Sequence, residues 1–423
     1  MPWISARAAR AWEFGARFAR IAAVRILHLA QRVPYPPNRG DKITTWRDIE
    51  YLSRTHEVVS VAFAHDDGDR AAAAELRTRG FEVHTVDLDL RRAKLRALPL
   101  LLTKQPLTLG VYGSAKLQAI VDRLMPSIDV AIAFSSSMGA FLLPHVDTPR
   151  IQFVVELDSD KWAQYAPLTS WPLSLVYRRE ARCLLAFERR LCAAMDMNLL
   201  VTELELRIFE ERIPNTVSCV MPNGVDLERF HPRANAPEAG HFVFTGVMDY
   251  FPNVDGCVWF AREILPRIRE RCPDAHFTIV GSSPTPEVAA LARLDGVTVT
   301  GFVPETCDFL ARAAVAVAPL RIARGIQNKV LEAMAMGLAV VGTTHATQGV
   351  GGQTGRDYLV ADDADTFAAA CTRLLLAPAD AAALGAQARV FVEQHYDWER
   401  VLAPLGELVL RIGAKEPGRP NLD

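Results

Sequence analysis

Short apolar runs alternate with longer stretches of helical periodicity from Val24 almost to the end of the chain. The runs Val24 to Ala30, Val58 to Phe63, Phe81 to Val86, Asp129 to Phe134, Ile151 to Val155 and Met197 to Val201 are bounded by polar, Gly or Pro clusters. Runs this short and this apolar read as strands buried on both faces. Between them, Ile43 to Arg54 and Ala115 to Met125 have the spacing of amphipathic helices. Strand and helix in turn predict an α/β, doubly wound parallel sheet, whose ligands sit at the carboxyl ends of the strands. The alternation pauses at Val217 to Pro232 and at the polar, Pro/Ala-rich stretch Arg233 to Gly240. It resumes with His241 to Thr245, a helix from Asn253, Phe277 to Gly281 and Val315 to Ala318. The expected division is a first domain over 24–220, a linker over 221–240 and a second domain over 241–396. An amphipathic helix, Trp398 to Ile412, lies within a closing segment over 397–415.

The most informative stretch runs from Val315 to Thr343, VAVAPLRIARGIQNKVLEAMAMGLAVVGT. It predicts a strand, a polar loop closed at Gly325, a helix from about Gln327 to Met336 stopped by Gly337, and a second strand. Val330, Leu331, Met334 and Ala335 share one face of that helix, while Glu332 falls off the stripe, one turn from Asn328. Arg321, Arg324 and Lys329 gather at the helix's positive end. Cations and backbone N–H groups together suit a diphosphate, and Glu332 then suits ribose hydroxyls. The plainer reading is surface cations beside a solvated glutamate. Gly246 follows the first strand of the second domain, and the loop from Gly246 to Asn253 has no Lys or Arg, which raises the weight on Arg321, Arg324 and Lys329.

In the first domain the Pro-rich loop from Gln31 closes on Gly40, which places Asn38 to Lys42 at a strand's carboxyl end. The run from Ile151 ends in Glu156, Asp158 and Asp160. Carboxylates there can be tuned by burial for acid–base work, although Asp158 or Ser159 could simply cap the following helix. Ser135 to Gly139 could bind an anion through backbone N–H groups or cap a helix. Asp87 and Asp89 read as turn chemistry rather than as a metal site. The Arg-rich stretch Trp171 to Met195 reads as helix with a solvated, charged face.

Composition narrows the picture further. The chain has 423 residues, 50% of them apolar and 23% charged, with a net charge of −2. That is ordinary for a soluble globular protein and gives no bulk case for nucleic acid. The seven cysteines include no C-x-x-C pair and read as reduced thiols of a cytosolic protein. No apolar run reaches the roughly 18 to 20 residues that span a bilayer. Residues 1–23 form a basic amphipathic extension, with Arg7, Arg10, Arg17 and Arg20 among Trp3, Trp12, Phe14 and Phe18. Its readings are a helix lying on an anionic membrane or a start set too early. The expected location is cytoplasmic, with peripheral contact on the inner face of the membrane.

Glu332-Ala333-Met334-Ala335-Met336-Gly337 resembles the donor-binding element of the GT-B glycosyltransferases of family 4, which carry an E-x7-E signature. The first glutamate of that signature falls at position 324, where this chain has Arg324. Pro222 to Asp226 is similar to the family's PNGVD segment. Asp158, Ser159, Lys161, Trp162, Tyr165 and Ala166 resemble a D-x-D-S-x-K-W-x-x-Y-A pattern, with Glu156 in place of the first Asp. The run from Arg321 to Gly337, RIARGIQNKVLEAMAMG, and that pattern resemble one branch, the sugar transferases associated with PEP-CTERM/exosortase exopolysaccharide systems; related family members usually have a His near Asp158.

The resemblance implies GT-B architecture, two Rossmann-like domains facing across a cleft. It also implies retaining transfer of a sugar from a nucleoside diphosphate to a hydroxyl of a growing, lipid-linked exopolysaccharide. The candidate catalytic residues are Asp158, Glu156, Arg324 and Lys329. The candidate donor-binding residues are Gly40, Gly246, Arg321, Gly325, Asn328 and Glu332. No metal or other cofactor is expected, because cations and a helix N-terminus can stabilise the leaving diphosphate. The expected partners are a nucleotide-sugar donor and a saccharide or lipid-linked acceptor, without nucleic acid. Two other readings stay open: a nucleotide-sugar 2-epimerase of the same fold, and a catalytically silent binding subunit, the latter because of Arg324.

Overall fold

A computed structural model describes residues 23–233 and 237–413. The basic extension over 1–23 therefore lies almost wholly outside the described residues. The chain divides into two compact units, one comprising the residues up to Met221 together with those from Leu402, the other Pro222–Val401.

The first unit is built on seven parallel strands in the order β3-β2-β1-β4-β5-β6-β7. They are β1 (Arg25–Ala30), β2 (Glu57–Ala64), β3 (Glu82–Asp87), β4 (Val130–Phe134), β5 (Arg150–Val155), β6 (Met197–Leu200) and β7 (Ser218–Val220). Every residue of β4 is buried, as a central strand covered on both faces requires. The covering helices obey their sequence pattern. In Ala115–Leu124, for example, Ser114 caps the N-terminus by accepting from the Leu117 N–H, and Leu117, Val121 and Leu124 turn inward. They meet Phe63, Phe141, Leu184 and Leu191 in one cluster. Each such side chain contributes about 1.5–3 kcal/mol by leaving water. The first helix begins at Gly40 rather than at Ile43, so Gly40, Asp41 and Lys42 form its first turn instead of ending a loop. An acidic residue suits that end of a helix, and Asp41 is held there by Arg39 at 2.9 Å.

The second unit has six parallel strands in the order β10-β9-β8-β11-β12-β13. They are β8 (His241–Thr245), β9 (His276–Val280), β10 (Val297–Val299), β11 (Val315–Ala318), β12 (Ala339–Gly342) and β13 (Leu359–Val360). Phe242, Phe260, Phe277 and Phe367 are fully buried in its core, with the rings of Phe260 and Phe277 at 4.5 Å. Among the described residues no single helix is long and apolar enough to cross a membrane.

Both orders reverse direction once, between β1 and β4 in the first sheet and between β8 and β11 in the second. Loops leaving the carboxyl ends of these strand pairs run to opposite faces and open a crevice. The polar residues of interest gather at these two openings.

Candidate functional site

In the second unit, the opening lies between the loop that follows β8 at Gly246 and the loop that follows β11 up to Gln327. The first loop is packed against its neighbours at backbone distance. A Cβ on Gly281 would sit 1.6 Å from the Gly246 carbonyl oxygen, and one on Gly246 would sit 2.7 Å from Asn253 Nδ2. Only glycine leaves room for that approach. Asn253 is buried and holds the loop by donating to the Val247 carbonyl at 2.9 Å.

Lys329 enters this group from the helix Asn328–Ala335. Its ammonium donates to Asn253 Oδ1 at 2.9 Å and lies 5.1 Å from the Phe244 ring centroid. Burial pulls its pKa down to about 8, since the charged form is the one that loses solvation. The cation missing from the Gly246 loop is thus supplied by a helix 76 residues further along the chain. Glu332 follows on the same helix. Burial pushes its carboxyl up to about 7, and the charges of Arg229 and Lys329 oppose that rise. Asn328 Oδ1 accepts from Asn223 Nδ2 at 3.3 Å, tying the Pro222 to Asp226 segment to the helix start.

The side chain at the N-cap does not cap that helix start. Gln327 occupies the N-cap position but donates its amide to the Arg324 carbonyl at 2.8 Å instead. First-turn N–H groups of this kind form an anion site when no side chain satisfies them. The polar loop before the helix turns at Gly325, where φ is +63°. Arg324 is half-buried in this loop. Arg321 corrects the expectation of three gathered cations. It is exposed, its guanidinium pairs with both carboxylate oxygens of Asp255, and it stacks over Trp259. An aspartate on the helix Phe251–Trp259 neutralises it.

The opening in the first unit has different contents. Gln31, just after β1, donates to Ser137 Oγ at 2.7 Å, and the Ser135 and Ser137 hydroxyls lie 3.1 Å apart. Ser136 donates to Asp158 Oδ2 at 2.6 Å. The carboxyl ends of β1, β4 and β5 are thereby linked. Two backbone outliers shape the turns: Ser135 with φ +79° and Val155 with φ +65°, the latter a β-branched residue in the left-handed region. Such strain persists where surrounding contacts enforce it, often at functional sites.

Asp158 is not a helix cap. It stands in the first turn of Asp158–Tyr165, whose N-cap is Leu157 with no side-chain bond. The carboxyl that serves the helix start is Glu188, which accepts from the Ser159 N–H at 3.3 Å. Glu188 comes from the helix Leu173–Ala193 and is almost fully buried; burial, with Asp158 as a like-charged neighbour, pushes its pKa up to about 8. Burial also raises Asp158, against the Ser136 hydrogen bond. Glu156 sits half-buried in the turn before the helix. Gly40 opens the helix Gly40–Leu52 of this unit, and so belongs to a different unit from Gly246 and Lys329.

The structure thus brings together Gly246, Asn328, Lys329 and Glu332 in one unit, and places Asp158 with serine hydroxyls in the other. Asn253, Arg229, Ser136 and Glu188 were not anticipated as site residues. Ser136 lay within the SSSMG run singled out after a strand, whereas Glu188 was hidden in an Arg-rich helix. Among the described residues one group, Glu238, His241 and His276, has the spacing to hold a metal ion. It lies at the amino ends of β8 and β9, the opposite edge of the sheet from Gly246, and Arg312 pairs with its carboxylate.

Residues 239–377 match the family model described as Glycosyl transferases group 1. No curated protein matches the chain in sequence. Among solved structures, sucrose-phosphate synthase from Thermosynechococcus elongatus aligns with TM-score 0.68 at 17% identity, over 92% of this chain and 99% of that one. Anabaena HepE in complex with UDP and glucose aligns with TM-score 0.67 at 12% identity, over 91% and 99%. A variant of S. aureus TarM in complex with fondaparinux, alpha-GlcNAc-glycerol and UDP aligns with TM-score 0.66 at 10% identity, over 93% and 100%. At such identities the likeness establishes the fold: two Rossmann-like domains of the GT-B architecture.

Proposed function

We propose that the protein is a retaining glycosyltransferase that moves a sugar from a nucleoside diphosphate to a hydroxyl of a growing, lipid-linked exopolysaccharide, and that it acts in the cytoplasm without a metal cofactor. The observation that carries the reading is the group at the second opening: a half-buried ammonium on Lys329, a helix start that its N-cap side chain leaves uncapped, and Glu332 one turn further on. The match over 239–377 supports the activity, and the UDP complexes of two structural neighbours support a nucleoside-diphosphate donor. The exopolysaccharide role rests on the resemblance of the stretches around Asp158 and Glu332 to that branch of sugar transferases.

In this reading the bond between the anomeric carbon and the diphosphate oxygen breaks as the acceptor oxygen bonds to the same face of the sugar. Negative charge grows on the leaving diphosphate. Lys329, Arg324 and the helix N–H groups stabilise it where it develops. Glu332 accepts from ribose hydroxyls and fixes the donor. The acceptor's proton passes to the departing phosphate, while Asp158, positioned by Ser136, orients the acceptor hydroxyl.

The test is incubation of the purified chain with radiolabelled UDP- and GDP-sugars, with and without membrane lipid extract, in the presence of EDTA. The expected result is label entering the lipid fraction with the anomeric configuration kept. Isomerised nucleotide sugar formed without extract would establish an epimerase instead. Tight nucleotide binding with no turnover would establish a silent binding subunit.

A further inference from the structure

Large apolar side chains of the first unit are mostly buried, yet two short stretches leave several in water. Leu95, Leu98 and Leu102 are exposed on the helix Leu90–Ala97 and the 3-10 turn Leu98–Leu102 that follows it. Trp171, Leu173 and Leu175 are exposed at the start of the helix Leu173–Ala193. Leu102 is 93% exposed and Trp171 78%. Hydrogen bonds tie the two stretches together. Arg179, one helical turn beyond Leu175, donates to the carbonyls of Leu100, Thr103 and Gln105. Next to it, Glu180 accepts from the Leu107 and Thr108 N–H groups at 2.7 and 2.8 Å.

A single exposed leucine needs no explanation, but a cluster of this size does. The rim says what covers it. Arg91, Arg92, Lys94, Arg96 and Lys104 are all exposed; Asp89, which caps the helix, pairs with Arg92 at 3.3 Å, and no acidic residue occurs from Leu90 to Lys104. Arg178 and Arg182 add two exposed cations on the other side, where Glu180 is the one carboxylate and is buried. A chain with a net charge of −2 thus concentrates positive charge around its exposed leucines. Leu95 stands among those cations on the outer face of its helix, while Ala93 and Ala97 face inward.

We infer that this face, formed by residues 91–104 and 171–182, docks on an anionic phospholipid surface. The cations pair with headgroup charges, the leucines enter the acyl boundary, and Trp171 takes the interfacial position its amphipathic ring prefers. The inference does not depend on the transfer reading. It also gives the docked face a structural link to Asp158. The helix that presents Leu175 to the lipid carries Glu188 at its other end, roughly 20 Å along its axis, at the start of the Asp158 helix.

The test is flotation of the full chain with phosphatidylcholine vesicles and with vesicles containing phosphatidylglycerol, at low and high salt. The variants are Leu102→Glu, Trp171→Ser and Arg91→Glu/Lys94→Glu, all at exposed positions, with the mass of each species checked by light scattering. The expected result is a preference of about tenfold or more for the anionic vesicles, lost at high salt. Each variant should lower partitioning by a similar factor with its far-ultraviolet spectrum unchanged. Three results would overturn the inference: no binding to either vesicle, variants that bind as the parent does, or a parent dimer that the variants dissolve. The second would move membrane contact to another segment such as residues 1–23, and the third would assign the face to a second copy of the chain.

Discussion

The opening between β1 and β4 and the opening between β8 and β11 occupy the same place in two sheets of like order, and their chemistry is opposite. The second holds an ammonium, an uncapped helix start and backbone packed at glycine distance. The first holds three serine hydroxyls, a glutamine amide and two carboxyl groups whose pKa values burial raises. One arrangement suits an anion and the other a hydroxyl and its proton. Topology creates both openings, and the side chains decide what each can bind.

The sharpest way to break the contrast is sterical. Gly281→Ala drives a Cβ into the Gly246 carbonyl at 1.6 Å, at a residue whose φ is +154°. It should cost about 3 kcal/mol or more in urea unfolding. Ser137→Ala in the first opening removes the hydrogen bonds with Gln31 and Ser135 and should cost only about 1–2 kcal/mol. Equal costs would mean that the two loops are built alike.

Charge comes next. Lys329→Ala should weaken nucleoside-diphosphate binding by about 10- to 100-fold, as expected for losing a charged hydrogen-bond donor. Because the Lys329 ammonium loses its proton near pH 8, wild-type affinity should fall as pH rises through about 8. Lys329→Arg should remove that fall, since a guanidinium stays charged. Asp158→Asn should leave donor affinity unchanged and cut the transfer rate at saturating donor, by about 100-fold if Asp158 orients the acceptor hydroxyl. Near-normal transfer would pass the role to Glu156.

The smallest effect separates the carboxyl groups. Burial raises the Glu188 carboxyl to about 8 in the folded protein, whereas in the unfolded chain it loses its proton at the ordinary glutamate value of about 4.5. Between these values the native state binds the extra proton, so stability falls as pH rises from about 4.5 through 8. Glu188→Gln imitates the protonated acid, and its melting temperature should lack that part of the slope. An unchanged slope would show that Glu188 is ionised in the native state.

How far these features were legible in the sequence follows from their range along the chain. Central strands such as β4 and β11 were legible because each is an uninterrupted apolar run, whereas the short strands β7, β10 and β13 were not, and the helix Asn328–Ala335 was legible because its stripe ends at Gly337, where φ is +70°. Pairings made across the fold were not. Lys329 with Asn253 spans 76 residues and Ser136 with Asp158 spans 22, and no periodicity announces either. The misplacement of Arg321 has the same origin, for the Asp255 that neutralises it lies 66 residues earlier. Glu188 escaped notice because the periodicity of its helix reports Leu184, Phe187 and Leu191, while a carboxyl among arginines reads as solvated.

Calorimetric titration of UDP and of GDP into the folded Glu332→Ala and Asp158→Asn proteins, beside the parent chain, tests the division of labour most directly. Loss of ribose contacts should weaken the nucleotide that the parent prefers by roughly 1 to 3 kcal/mol in Glu332→Ala, with Asp158→Asn binding as the parent does. Full affinity in Glu332→Ala, or a comparable loss in Asp158→Asn, would contradict the assignment of the donor to the second opening.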